Sequence, residues 1–257
     1  MDKLVYTALG AATNQSFQRV QLTNDLAYVS TIGYKRSITS RPETVAYVGS
    51  GFTTRYQAIA PARAEEIDLK AGHHIETGVQ TDIAMNNATV LGVQGDNGEI
   101  AFTRRGDIRV TDSGLLEIGS GQLVLDDGGN PITVPADTVV SIGTNGIVYG
   151  QSGLDSSGVP AELGTLMLRD ASATALVRRT DGLYGAAEAA LPNANGDFAT
   201  GPEPVSITVG SLEGSNSDAV EVMVNLLDYY RSFETQMKII KSTEELDKDG
   251  SRMMSAR

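Results

Sequence analysis

The chain has no cysteine, and that absence removes disulfides, thiolate metal sites and cysteine nucleophiles together while leaving the redox compartment open. Histidine is almost as scarce. Only His73 and His74 occur; as neighbours on a strand they point to opposite sides, so a shared metal is disfavoured and an exposed or structural role is expected. Long apolar runs are missing. Nothing approaches the roughly 20 residues that span a bilayer, so an integral membrane protein is not expected. The opening Met1-Asp2-Lys3-Leu4-Val5-Tyr6-Thr7-Ala8-Leu9-Gly10-Ala11-Ala12 sets one lysine against Asp2 and then meets polar residues, which makes a poor signal peptide. Positive charge is in deficit: at a formal net charge of −12, like-sign repulsion disfavours a non-specific grip on nucleic-acid phosphates or anionic lipid.

Catalytic signatures are also missing. There is no Gly-x-Ser-x-Gly elbow, and histidine-based hydrolysis depends on His73 and His74 alone. Asp126-Asp127-Gly128-Gly129-Asn130 resembles part of a calcium loop but lacks its spaced acidic ligands and terminal glutamate, so it reads as a turn. Gly49-Ser50-Gly51 lacks the lysine of a phosphate loop. Acidic side chains are too widespread for one pair to stand out as glycosidase carboxylates. No enzyme activity, cofactor or metal is expected.

What is present is a chain of 257 residues, long enough to bury a sizeable core as one large domain or two small ones. Its 28 glycines are unevenly placed: few precede residue 49, and none lies between Gly214 and Gly250. The ends therefore read as helices and the middle as β structure. Short β-prone runs recur, among them Ile108-Arg109-Val110, Leu115-Leu116-Glu117-Ile118, Gln122-Leu123-Val124-Leu125, Ile132-Thr133-Val134 and Thr138-Val139-Val140-Ser141-Ile142. Leu166-Met167-Leu168, Leu176-Val177-Arg178 and Val205-Ser206-Ile207-Thr208-Val209 continue the series. Between them stand Asn97-Gly98, Asp127-Gly128, Asn145-Gly146, Asp181-Gly182 and Asn195-Gly196, pairs that accept the positive φ of tight hairpins. This spacing predicts an irregular, mainly antiparallel β assembly.

At the C-terminal end, Asn216, Ala219, Met223, Leu226, Tyr230, Phe233, Met237 and Ile240 follow alternating steps of four and three, the spacing of a coiled-coil seam. Asp218 and Glu221 are placed to cap the helix start, and Gly250 to stop it. At the N-terminal end, Leu4, Val5, Ala8, Leu9 and Ala12 form a stripe that then meets Ser16, Arg19 and Thr23 before apolar character returns at Leu26. Such a polar seam makes a poor sole partner for the other helix. Both ends are thus expected to gain their helix by packing into neighbouring subunits, the alternative being a simple intramolecular hairpin. The expected class is α+β: N- and C-terminal helices forming a coiled-coil-like α domain, with a central mainly antiparallel β domain. The expected division is 1–36 for the first half of the α domain, 37–72 for an extended linker, 73–209 for the β domain and 210–257 for the long helix.

Thr23-Asn24-Asp25-Leu26-Ala27-Tyr28-Val29-Ser30-Thr31-Ile32-Gly33-Tyr34-Lys35-Arg36 resembles the flagellar rod and hook motif A-N-N-L-A-N-x-x-T-x-G-[FY]-K-R, with Asp25 and Tyr28 in place of asparagines. Gly210-Ser211-Leu212-Glu213-Gly214-Ser215-Asn216 resembles G-x-L-E-x-S-N, and Tyr230-Arg231-Ser232-Phe233-Glu234 resembles [ST]-x-R-x-[FY]-E. Phe102-Thr103-Arg104-Arg105-Gly106 is similar to [FY]-T-R-x-G, whereas Leu91-Gly92-Val93-Gln94 departs from G-x-G-F-F-x-V. The chain is identified as a member of the flagellar basal-body rod family, its opening residues resembling the proximal-rod branch. The resemblance implies a structural subunit that polymerises through its terminal helices into a hollow, torque-transmitting rod crossing the periplasm, exported without a cleaved leader. It implies partners among other rod subunits and copies of itself, with ring or bushing proteins and the export apparatus as further contacts. Alternatives are a distal-rod or hook-basal paralogue and, in a different class, a secreted β-rich carbohydrate-binding module or hydrolase. The residues expected to carry assembly are Leu4, Val5, Leu9, Asn24, Leu26, Ala27, Gly33, Leu212, Glu213, Asn216, Met223, Leu226, Tyr230, Arg231, Phe233, Glu234, Met237 and Ile240. Of these, Asn24 is assigned to cross-helix hydrogen bonding, Gly33 to a left-handed helix end, and Arg231 with Glu234 to a subunit-crossing ion pair, against the commoner solvated helix face.

Overall fold

The computed structural model describes residues 2–38, 44–46, 57–59, 66–152, 159–187 and 195–255. Helix α1 spans Asp2–Ala27 and helix α2 spans Ala219–Ser255. In chain order the strands begin with β1 (Thr44–Ala46), β2 (Gln57–Ile59), β3 (His74–Glu76), β4 (Ile83–Met85) and β5 (Thr89–Gln94). Then come β6 (Ile100–Thr103), β7 (Ile108–Val110), β8 (Leu116–Ile118), β9 (Thr138–Ile142) and β10 (Ile147–Ser152). The series closes with β11 (Ala161–Thr165), β12 (Leu168–Asp170), β13 (Leu176–Arg178), β14 (Tyr184–Ala186), β15 (Ile207–Val209) and β16 (Ser211–Glu213).

Two compact units result. One holds residues 28–38 and 64–217, and the other holds 1–27, 39–63 and 218–257. The first, here called the β unit, is organised on a five-stranded sheet in the order β12-β5-β6-β14-β13. Strand β5 is buried along nearly its whole length because both faces of the sheet are covered. Period-two alternation sends Leu91, Val93 and Ala101 into one apolar cluster with Ile83, Ile118 and Val148. Val90 and Phe102 face the other way, into a cluster with Met167, Leu176, Tyr184 and Phe198. The ring of Phe198 meets Phe102 edge-on at 4.7 Å, a favoured aromatic geometry.

The β-prone runs at 108–110, 138–142 and 176–178 coincide with β7, β9 and β13. Asn145-Gly146 turns β9 into β10 with φ +80° at the glycine, and Asp181-Gly182 does the same between β13 and β14. Gln122–Leu125 and Ile132–Val134, expected as strands, make only isolated bridges. The reason is a closed ring of donors: the Leu116 amide donates to the Ile132 carbonyl, Ile132 to Val124, and Val124 back to Leu116. Three short segments that bond in a triangle cannot extend into a flat ladder.

The expected α+β class is corrected by these elements. Among the described residues two helices stand against sixteen strands, every strand pairing is antiparallel, and pairing runs from Thr44 to Glu213, so the chain is predominantly β. Nor do the ends make the expected coiled-coil-like domain. The face of α2 that is buried or half-buried follows Ala219, Val222, Leu226, Tyr229, Gln236, Ile240 and Thr243, whereas the expected seam ran through Met223, Tyr230 and Met237, all exposed. A polar contact also joins the helix pair: Gln15 Nε2 donates to Ser232 Oγ at 2.9 Å. Asp218 does cap α2, accepting from the Val220 and Glu221 amides at 2.7 and 3.2 Å. Gly250 does not stop the helix, which continues to Ser255. Its penalty of about 1 kcal/mol relative to alanine is within what neighbouring helix formers offset.

Candidate functional site

The two motifs that flank the β unit in sequence meet inside it. Strand β16 pairs with β3, Leu212 lying opposite Ile75, and thereby carries Glu213 to the segment 28–38. The Gly33 amide donates to the Glu213 carbonyl at 2.7 Å, and the Asn216 amide donates to the Tyr34 carbonyl at 3.2 Å. Asn216 then acts as a three-way peg. Its Oδ1 accepts from the Arg36 amide at 2.8 Å, and its Nδ2 donates to the carbonyls of Asp68 at 2.8 Å and Lys70 at 3.4 Å. Gly33 has φ +69°, and a Cβ there would sit 2.5 Å from the Arg104 carbonyl carbon and the Arg105 nitrogen. No other residue type fits that approach.

Beneath this backbone clasp lies a charge cluster. Lys35 Nζ meets Glu213 Oε1 at 2.6 Å and Arg104 Nε meets Glu213 Oε2 at 2.8 Å, all three side chains being 0% exposed. Arg104 also donates through Nη2 to Glu213 Oε1 at 2.9 Å, a bidentate pair, and its remaining donors reach the carbonyls of Met85, Asn87 and Thr89. Lys35 Nζ donates further to the Lys70 carbonyl at 2.7 Å, and the Gly72 amide donates to Glu213 Oε1 at 3.0 Å. Burial, followed by repulsion from Arg104, outweighs the pull of Glu213 and brings the Lys35 ammonium down to about 8. For Glu213 the balance is reversed. Burial pushes its carboxyl up, but bonding and attraction from Arg104, joined by Lys35, more than offset it and hold it below the usual carboxylate range. Burial also pushes the Tyr184 phenol up to about 12. That hydroxyl donates to the Gly33 carbonyl and accepts from the Lys35 amide, both at 3.2 Å.

An aromatic stack closes the same region. Tyr28 stacks on Tyr34 with centroids 5.1 Å apart, and the Arg178 guanidinium lies 4.5 Å from the Tyr34 ring centre. Arg178 Nη2 donates to the Lys35 carbonyl. Tyr28, one of the two departures from the family pattern, therefore has packing work that an asparagine does not perform. Asp25, the other, is buried in α1.

Of the expected assembly residues, Gly33, Leu212, Glu213 and Asn216 belong to this clasp. Asn24 and Ala27 are exposed near the end of α1 and Leu26 is half-buried, while Leu4, Val5 and Leu9 have side chains outside the described residues. On α2, Leu226 and Ile240 are half-buried, and Met223, Tyr230, Phe233 and Met237 are exposed. Arg231 and Glu234 make local ion pairs instead of one with each other: Arg231 with Asp228 at 3.5 Å and Glu234 with Lys238 at 2.9 Å. Exposed pairs of this kind contribute little. Sequence reasoning missed Lys35, Arg104, Arg178 and Tyr184. The available signal was that the Lys35 and Arg104 motifs carry charge opposite to that of the Glu213 motif.

On α2 a second apolar stripe, Val220, Met223, Val224, Leu227 and Tyr230, faces away from α1, with Leu227 58% and Tyr230 56% exposed. Phe17 and Val20 of α1 are exposed as well. No helix among the described residues is long and apolar enough to cross a membrane.

Comparison with known proteins places both regions in one family context. Residues 208–253 match the family model described as the flagellar basal body rod FlgEFG protein C-terminal region, and residues 84–150 match the flagellar hook protein FlgE/F/G D1 domain. The chain is 31% identical over 255 residues to the flagellar basal-body rod protein FlgF of Salmonella typhimurium strain LT2, covering 99% of each chain. It is 30% identical to FlgF of Escherichia coli K12 over 95% of each. Similarity to the rod protein FlgG of Bacillus subtilis strain 168 is lower, 26% over 96% of this chain and 97% of that one.

Proposed function

Given that this chain belongs to the flagellar basal-body rod proteins and is of the FlgF type, we propose that it joins the rod through the apolar face of α2 that its own α1 leaves uncovered. It is a structural subunit of the basal-body rod. The observation that carries the mode of assembly is the stripe Val220, Met223, Val224, Leu227 and Tyr230, which turns to solvent on a helix whose other face is already occupied. These side chains are about half to two-thirds exposed, so completing the burial of each is worth about 0.7–2 kcal/mol, more than a monomer gains by leaving them wet. Neighbouring rod subunits, including copies of this chain, supply the cover. Ring or bushing proteins are further contacts in a rod that crosses the periplasm. The role is mechanical, with no catalytic step.

The test is a double substitution, Met223→Asp with Leu227→Asp, in the full chain expressed in a strain lacking its own copy. Motility and incorporation into purified basal bodies are lost, while the amide spectrum of the β unit stays unchanged. Normal swimming by the double variant refutes the assignment of this face.

A further inference from the structure

The charge cluster of the β unit holds two cations and one anion, all fully buried. Its members come from distant parts of the chain: Glu213 is 178 residues from Lys35 and 109 from Arg104. Lys35 and Arg104 are thus in the chain long before their counter-charge. Asp68 adds only a weak attraction to Lys35, and its own carboxylate lies 3.6 Å from Arg36. Arg104 uses its donors on Glu213 and on three carbonyls that border β4 and β5, so core strands close around its positive charge. A buried charge without a partner is among the most destabilising features a fold can carry.

We propose that Glu213 is the closing piece of the β unit: residues 28–38 and 64–212 contain a core that cannot stably form around Lys35 and Arg104, and folding completes only when β16 delivers the carboxylate. A chain emerging N-terminus first then stays without a stable β unit until its last strand has emerged. Premature folding is prevented by charge, not by a missing piece of apolar core. The device also couples the two motifs, because the same strand that brings Glu213 sets the Gly33 and Asn216 backbone bonds.

The experiment uses the full chain, unfolded in urea and refolded, with the β unit followed by methyl resonances of Val90 and Leu91. Glu213→Gln, nearly isosteric but uncharged, lowers the folding equilibrium constant by about 10²–10⁴-fold. Adding Lys35→Met to that variant restores at least tenfold, although it removes a further side chain, because it removes one uncompensated charge. A purely hydrogen-bonding role for Glu213 predicts the opposite order, with the double variant worse than the single. Glu213→Asp, which keeps the charge but shortens the reach, slows refolding by nearly the whole of its equilibrium effect and leaves unfolding almost untouched. The proposal is overturned if Glu213→Gln lies within tenfold of the parent, if the double variant is no better than the single, or if Glu213→Asp acts on the unfolding rate alone.

Discussion

Gly33→Ala isolates how tightly the clasp is built. At φ +69° an L-residue with a Cβ pays about 1–2 kcal/mol in left-handed backbone strain. The added methyl also lies 2.5–2.6 Å from three backbone atoms of Arg104 and Arg105. Backbone cannot rotate aside as a side-chain tip can, so overpacking adds about 1–3 kcal/mol. The sum is about 2–5 kcal/mol, or a fall of about 1–2.5 M in the urea midpoint at a slope of about 2 kcal/mol/M. Gly78→Ala provides the control. Gly78 has nearly the same angle, φ +71°, but nothing within 4 Å of where its Cβ would stand, so it bears the strain alone and shifts by about 0.5–1 M. Urea titrations of both variants, read from methyl resonances in the β unit, decide the matter. Equal midpoints for the two variants refute the claim that segment 28–38 is pressed against the Arg104 backbone.

Two further outcomes follow from the clasp and the charge cluster beneath it. In the folded protein Lys35 titrates near 8, below its ordinary 10.5, so between those values the unfolded chain binds more protons and stability rises with pH. Glu213 acts at the other end: its stabilisation is present above the ordinary carboxylate value and is lost as pH falls through the lower folded value. Urea midpoints measured across pH show the alkaline rise, and Lys35→Met abolishes it while leaving the acid loss in place. Asn216→Ala removes the acceptor for the Arg36 amide and the donors to Asp68 and Lys70, costing about 1–3 kcal/mol in the same assay. A change below 0.5 kcal/mol shows that the peg carries no weight.

The β-prone runs and hairpin glycines were legible in the sequence because their causes are local: period-two burial and a backbone that must reach positive φ. The clasp was not, even though its motifs were visible. Gly33 reads as a left-handed helix end and Asn216 as the first position of a helical seam, because nothing nearby in sequence reveals that an asparagine will pin a segment 180 residues away. Likewise, a lysine or arginine beside apolar residues reads as a surface charge until its distant carboxylate is placed.

The α2 seam went astray for a different reason. Apolar or aromatic residues stand in adjacent pairs, Val222-Met223 and Tyr229-Tyr230, so two stripes of the same alternating period run along one helix. Both share the half-buried Ala219, Leu226 and Ile240. The first adds Val222 and Tyr229, which turn inward; the second adds Met223, Tyr230, Phe233 and Met237, which are left exposed. Periodicity counts both and cannot say which meets α1. Yet the ambiguity is itself informative, because a helix that needed only an intramolecular partner has no use for a second stripe offset by one residue. Two overlapping seams are what a helix requires when it packs against its own chain on one side and a neighbouring subunit on the other.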